Sequence, residues 1–502
     1  MPNPRTAVIV GVGQAEQRVD DPAAAREPID LLGDAVRAAE TDTGAAVLAR
    51  VDTVAVVSIV SWAYPDPGAL LARRLGLPTP RRTMTTTVGG NSPQLLVNIL
   101  VPAIERGDAD VVLLGGAECV HTRWRARREP KAWLTWPQAD DPPCADVVGD
   151  DRAGSSDYEL AHGAAAPTLV YPLFETALRA AAGRTVDEHQ VAVSELWSGF
   201  SAVAAENPHA WSRQAFTPAA LRTPTPDNRM ITFPYLKRLC ANIDVDQAAA
   251  LLLCSYETAR DAGVPEDRMV FPRSGADAHD HFFVTERDRL DTSPALRAVG
   301  EATLAAAGAT VDDVARFDLY SCFPSAVQVA LGALGLRGPA GGDHRPLTVT
   351  GGLGFAGGPA NNYPTHAIAA MVDACRQDPG SLGFVSAIGW YITKHAAGCY
   401  STTPPPDRFG RVDPAETQQA VDALPRRAVA GAYAGPGTVE ATAVVVERDG
   451  TPSLGIVSVR TPDGSRALAN SRDAATLRDM IDAAWEGRAV RLVAEDASNR
   501  LA

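Results

Sequence analysis

Residues 85–94 read "TTTVGGNSPQ", and "LLVNILVPAIERGDADVVLLGGAE" carries the chain on to residue 118. Threonines of β character run into a tight Gly89-Gly90 pair, a proline-started apolar helix follows, and a buried strand comes after it. This is the layout of a catalytic elbow. Such an elbow displays a Cys or Ser at the helix N-terminus, where backbone N–H groups lower its pKa. Here the exposed point of the turn is Gly89-Gly90, which offers no side chain. Ser92, next to Pro93, reads as the helix N-cap followed by an N1 proline rather than as a displaced nucleophile.

Outward from the elbow the pattern is α/β. "AVIVGVG" (7–13) and "VDTVAVVSIV" (51–60) are short β-rich runs, with the helix-like "PIDLLGDAVRAAETDTG" between them. Alternation of this kind builds a sheet with helices on its faces. Gly11-Val12-Gly13 lacks the third glycine of a dinucleotide fingerprint, since Glu16 stands in its place, and reads as a strand end turning into a loop. From 119 to 235 the chain changes character, with Trp, Pro, Arg and acidic residues around two helical stretches. Long excursions of this sort often cover a site. The segment holds "RWRARR" (123–128), the densest basic cluster in the chain. It is either a solvated surface run or a phosphate-binding patch built on Arg123 and Arg125.

The α/β pattern resumes at 246–263 and 296–336. "AGGPANNYPTHAIAAM" then echoes "VGGNSPQLLVNIL": each is a Gly-Gly turn with a proline that feeds an apolar helix and then a β-run. Two such units suggest a duplicated fold. After the proline-marked "STTPPPDRFG" (401–410), alternating strands with Asp-Gly turn signals read as a small β domain of barrel form.

The bulk properties fit a soluble protein. There are 46 Lys and Arg against 60 Asp and Glu, a formal charge of −14, which speaks against a nucleic-acid partner. Seven scattered cysteines, with no CxxC pair and no Cys/His cluster at zinc spacing, read as reduced cytoplasmic thiols without a metal. No apolar run approaches the ~18 residues of a membrane span, and the N-terminus enters a strand directly with no leader-like region.

Taken in order, "AVIVGVGQ", "ADVVLLGGAE", "NRMITFPYLKRLCANIDVDQAAALLL", "LYSCF", "GGLGFAGGP" and "IGWYITKHAAGCYST" resemble the thiolase superfamily. The likeness covers about residues 5 to 400 and is nearest to sterol-carrier-protein-type thiolases and the cysteine-less thiolase-like proteins of actinobacteria. It implies a duplicated, layered α-β-α-β-α fold and a place in lipid metabolism. The C-terminal pattern resembles the OB-fold-like proteins that accompany thiolase-type aldolases and acyltransferases. The division expected is a first thiolase half (1–118), an inserted covering domain (119–235), a second half (236–403) and an OB-like domain (404–502).

Thiolases use a nucleophilic Cys, a second Cys that moves a proton, and His or Asn groups that hold thioester oxygens. Carried across, the nucleophile falls on Gly90. The His of the Gly-His-Pro motif falls on Gly358 in Gly357-Gly358-Pro359. The His-Asp-Cys-Phe motif becomes Tyr320-Ser321-Cys322-Phe323, and the second Cys becomes Ala387. Loss of a nucleophile that acts as part of a unit costs on the order of 10⁶ in rate, so thiolase turnover is not expected. The resemblance instead implies an acetyl-CoA acetyltransferase-like protein that binds an acyl-CoA thioester, with no tightly bound cofactor.

Gly89, Gly90, Asn91, Gly357 and Gly358 would line the acyl end of that ligand, and Arg123 and Arg125 would meet its phosphates. Tyr320 is the one candidate catalytic group. Similar aldolases that cleave β-hydroxyacyl-CoA carry a Tyr at this motif position, so a retro-aldolase is the alternative, although Ser321 stands where they keep an acid. Cys322 and His366 read as core residues, while Lys394 and His395 read equally as ligand contacts or loop supports. The resemblance leaves open a monomer or a homodimer.

Overall fold

A computed structural model describes residues 2–128, 134–137 and 140–502. The first half supplies strands β1 (Ala7–Glu16), β2 (Thr53–Val56), β3 (Arg82–Thr86), β4 (Val111–Cys119) and the short β5 (Val147–Val148). Next come β6 (Met230–Phe233), β7 (Tyr235–Leu236) and the fully buried β8 (Asp246–Ser255). β9 (Phe271–His279), β10 (Val314–Asp318), β11 (Leu382–Gly389), β12 (Lys394–Ser401) and β13 (Gly410–Arg411) complete the body.

Two sheets result, in the orders β1-β8-β4-β2-β3-β5 and β10-β11-β12-β9-β13. Their cores superpose in topology: β1-β8-β4-β2 and β9-β12-β11-β10 each pair antiparallel, antiparallel, then parallel. That is the duplication expected from the two Gly-Gly units. The helices those units feed, Ser92–Arg106 and Tyr363–Gln377, pack side by side between the sheets and touch both. Helix Pro28–Thr43 covers the outer face of the first sheet and Pro294–Ala306 that of the second, which gives the five layers α-β-α-β-α.

Three local readings are corrected by the packing. β1 does not end at Gly13 but runs on to Glu16. A Cβ on Gly11 or Gly13 would collide with the backbone of helix Pro28–Thr43 at Ala39 or Ala35, so these glycines allow close approach of helix and strand. β8 lies within 236–403 in sequence, yet it belongs to the first sheet, between β1 and β4. The N-cap of the elbow helix is Asn91; Ser92 is its first helical residue, with its Oγ donating to the Thr87 carbonyl at 3.3 Å.

The segment 119–235 divides its contacts. Val147 and Val148 pair with Thr85 and Thr86 along the edge of the first sheet. Helix Pro167–Ala181 packs on β14 (Gly435–Val446), and β6 pairs with the same strand. With β15 (Pro452–Arg460), β16 (Arg466–Ser471), β17 (Ala489–Ala494) and β18 (Asn499–Leu501), β14 closes a five-stranded barrel of OB-like form. The barrel has its own core around Val444, Val457, Leu477 and Met480. It is fastened to the body by the buried Arg466, which pairs with Glu440 and donates to the carbonyls of Val284, Thr285 and Arg287. Before entering the barrel, the chain adds β13 to the second sheet and lays helix Pro414–Asp422 on β9. Among the described residues no helix is long and apolar enough to cross a membrane.

Candidate functional site

The two elbows meet between the sheets. Gly89, Gly90 and Asn91 are buried at the start of helix Ser92–Arg106. Gly89 N–H donates to Asn361 Oδ1 at 2.9 Å, and Asn361 Nδ2 donates to the Ser58 carbonyl at 2.9 Å. One amide from the second repeat therefore clasps the turn of the first. Among the described residues no partner is found for the N–H of Gly90 or Asn91. The Asn91 Oδ1 atom is likewise buried and unpartnered.

The place of a residue-90 side chain is taken by Tyr320. A Cβ on Gly90 would run into the Tyr320 hydroxyl, with Cζ at 2.8 Å and the Ile388 carbonyl at 2.5 Å. Tyr320 is held by its own N–H, which donates to Ser386 Oγ at 3.0 Å, and by an edge contact with the Tyr363 ring at 5.5 Å. Burial, with the Cys322 thiol beside it, pushes the Tyr320 phenol up, so it stays protonated. The buried carboxyl of the region, Asp318, takes hydrogen bonds from Tyr363, Thr348, Thr350 and the Val349 N–H. Ser321 Oγ accepts from the Leu353 N–H. Cys322 is buried beneath the site, and burial raises its thiol to about 12, which fits the core role read for it.

The second elbow has little room left. Gly357 has φ of +117° and its Cβ position is filled by the Gln247 amide. Gly358 N–H donates to the Asn242 carbonyl at 2.8 Å. His366 is buried on helix Tyr363–Gln377, with Nδ1 at 2.8 Å from Gln14 Oε1 and Nε2 unpartnered. Burial, with His209 nearby, lowers it to about 3, so it is neutral. His366 and Gln247 line one small cavity of about 10 Å³, the size of a single water.

Between β11 and β12 the loop crosses the mouth of the first elbow. Trp390 (φ +57°) and Ile392 (φ +51°) lie in the left-handed region, as does Ala360 (φ +41°) beside the second elbow. For a β-branched residue such backbone is strained, and strain of this kind gathers at functional sites. Lys394 closes the loop, with Nζ donating to the carbonyls of Val88 at 2.7 Å and Asp150 at 2.9 Å. The same Nζ is 2.9 Å from where a Gly89 Cβ would be. His395 points the other way, into a buried cluster with Asp280 and Ser293. In that cluster Ser293 Oγ donates to Asp280, not to the imidazole, and both Ser293 and Asp280 cap helix Pro294–Ala306.

The basic cluster lies apart. Arg125 donates to the carbonyls of Val19 and Asp20, and Arg123 to that of Val60 at 3.1 Å, so both guanidiniums brace neighbouring loops. Reading the sequence missed Asn361 and Trp390. The "PANN" that ends the second Gly-Gly turn was the available signal for the former.

The model of the thiolase-like protein type 1 additional C-terminal domain matches residues 416–497. No curated protein matches the chain. Among solved structures, the monomeric SCP2-thiolase like protein type 1 from Mycobacterium smegmatis is 34% identical, with a TM-score of 0.85 and 100% of both chains covered. The Ltp2-ChsH2(DUF35) aldolase is 21% identical, with a TM-score of 0.61 over 79% of this chain and 98% of its own. Acetyl-CoA acetyltransferase from Syntrophomonas wolfei is 16% identical, with a TM-score of 0.55 over 79% and 99%. These last two show the fold alone. On the full-length relative and the matched C-terminal domain together, the chain belongs to the SCP2-thiolase-like protein type 1 family.

Proposed function

We propose that the chain binds a coenzyme A thioester at the first elbow and does not turn it over as a thiolase does. The observation that supports this reading is the pairing at the turn itself. Tyr320 takes the room of a nucleophile at Gly90, while the N–H groups of Gly90 and Asn91 are without partners. A thioester carbonyl is the acceptor such donors suit at a helix N-terminus. Gly89 shapes the floor, since its own N–H is held by Asn361. The reading extends to a protein of lipid metabolism in the cytoplasm, and to a monomer, because β5 already covers the edge of β3; the first two rest on the resemblance alone.

Calorimetric titration with free CoA, acetyl-CoA and a long-chain acyl-CoA tests it. Micromolar binding of a thioester, with no thiolysis of a 3-ketoacyl-CoA, is the expected result. Absence of binding to all three, or sustained thiolysis, overturns it.

A retro-aldol reading rests on the Tyr320 hydroxyl facing the elbow. That chemistry needs a base for the substrate hydroxyl and donors for the enolate, but no covalent nucleophile. Cleavage of a β-hydroxyacyl-CoA that disappears in Tyr320→Phe, with binding kept, would favour it over simple binding.

A further inference from the structure

Only three of the 46 basic residues in this chain are lysines: Lys131, Lys237 and Lys394. Arginine serves nearly every structural role for a cation, so a buried lysine at the emptied elbow is a chemical distinction. Arginine stays charged, whereas a lysine amine can be neutral and nucleophilic. Lys394 is 5% exposed. Its two hydrogen bonds, to the Val88 and Asp150 carbonyls, are the number a neutral amine can donate, and they leave a lone pair over.

The missing side chains of Gly89 and Gly389 make the room around that amine. A Cβ on Gly389 would stand 2.8 Å from Lys394 Cε, and Cβ atoms on both glycines would crowd Asn91 Oδ1. The cover is thin. Val88 is 42% exposed, residues 151–153 are exposed, and the Trp390 ring, 5.8 Å from Nζ, rests on Gly154.

We propose that Lys394 is an acyl acceptor: a coenzyme A thioester held at the first elbow transfers its acyl group to Nζ. The inference rests on the acyl-CoA reading above. The Nζ lone pair forms a C–N bond to the thioester carbon, the C–S bond breaks, and a proton from the amine ends on the departing coenzyme A sulfur. No oxidant or further reactant is required. The resulting amide has one N–H in place of two and can no longer be protonated, so either Val88 or Asp150 loses its donor. Acylation would therefore release the 149–154 strap from the elbow.

The charges facing Nζ are Asp150, Asp151 and Arg152 on that strap and, through Arg152 and across the β9–β12 pairing, His279; Asn91 on the elbow helix contributes only its neutral amide. Burial outweighs the attraction of Asp150 and lowers the Lys394 amine to about 8.

The test uses the full chain incubated with acetyl-CoA and with a long-chain acyl-CoA between pH 7 and 9, followed by peptide mapping by mass spectrometry. A non-hydrolysable thioether analogue of acyl-CoA is titrated in parallel. The expected result is acylation of Lys394 at least about tenfold faster than of the exposed Lys237, given the larger neutral fraction of a lowered amine. The rate should level off above pH 8, and protease sensitivity within 149–154 should rise with it. Lys394→Arg should bind the analogue and take no acyl group. Should the analogue bind while Lys237 is modified as fast as Lys394, this inference fails and the acyl-CoA reading stands. If the analogue does not bind, both fall.

Discussion

The phenol of Tyr320 lies where a side chain on Gly90 would begin, with its Cζ 2.8 Å from that missing Cβ. The two residues are therefore one physical arrangement. No side chain can stand at position 90 while this ring is in place. The N–H groups of Gly90 and Asn91 stay without partners beside the ring.

Gly90→Ala should be destabilising by about 1–3 kcal/mol, the usual cost of overpacking a filled site. Combination with Tyr320→Ala should recover part of that loss, because the two changes share one volume. Denaturant midpoints of the wild type, both single variants and the double variant check it. Strict additivity would mean that the ring does not set the fit.

Asn361→Ala removes the acceptor for Gly89 N–H, which is buried, and the donor to the half-buried Ser58 carbonyl. The expected loss is about 1–3 kcal/mol, with faster amide exchange at Gly89. Asn361→Asp keeps the acceptor but not the donor, and should protect Gly89 while still lowering the thermal midpoint.

Arg466→Met leaves Glu440 buried beside Arg460 alone and frees three carbonyls of the 284–287 loop. Breaking a buried pair of this type costs about 3–5 kcal/mol. Limited proteolysis should then cut between the body and the barrel, around residues 403–434, before either core unfolds. A variant as resistant as the wild type would show that the barrel is held by its apolar contacts.

His366 is lowered by burial to about 3 from an ordinary 6.5. The unfolded chain therefore binds a proton that the folded one refuses, and stability falls as pH drops from 6.5 towards 3. His366→Gln should flatten that part of the pH–stability curve. Equal slopes for variant and wild type between pH 6 and 4 would refute the assignment.

Sedimentation at micromolar concentration should give a monomer, since β5 pairs with the outer edge of β3. Val148→Pro, which removes the β5 backbone donor that faces β3, should expose that edge and raise self-association.

What the sequence by itself determined is what periodicity and local turn chemistry encode. The two Gly-Gly units with their apolar helices and the proline-marked approach to the barrel are contiguous patterns. The extent of β1 and the helix cap at Asn91 rather than Ser92 were less legible, because a close helix and a backbone angle decided them. Only the tertiary structure brought Asn361 to Gly89, 272 residues away, Tyr320 to Gly90, and Lys394 to the Val88 carbonyl. It likewise placed β8 in the first sheet, between β1 and β4. Each of these joins segments distant in the chain through one or two atoms, and no local pattern of residues records such a contact. The site is made where two repeats fold against one another, so its chemistry belongs to the packing of the layers.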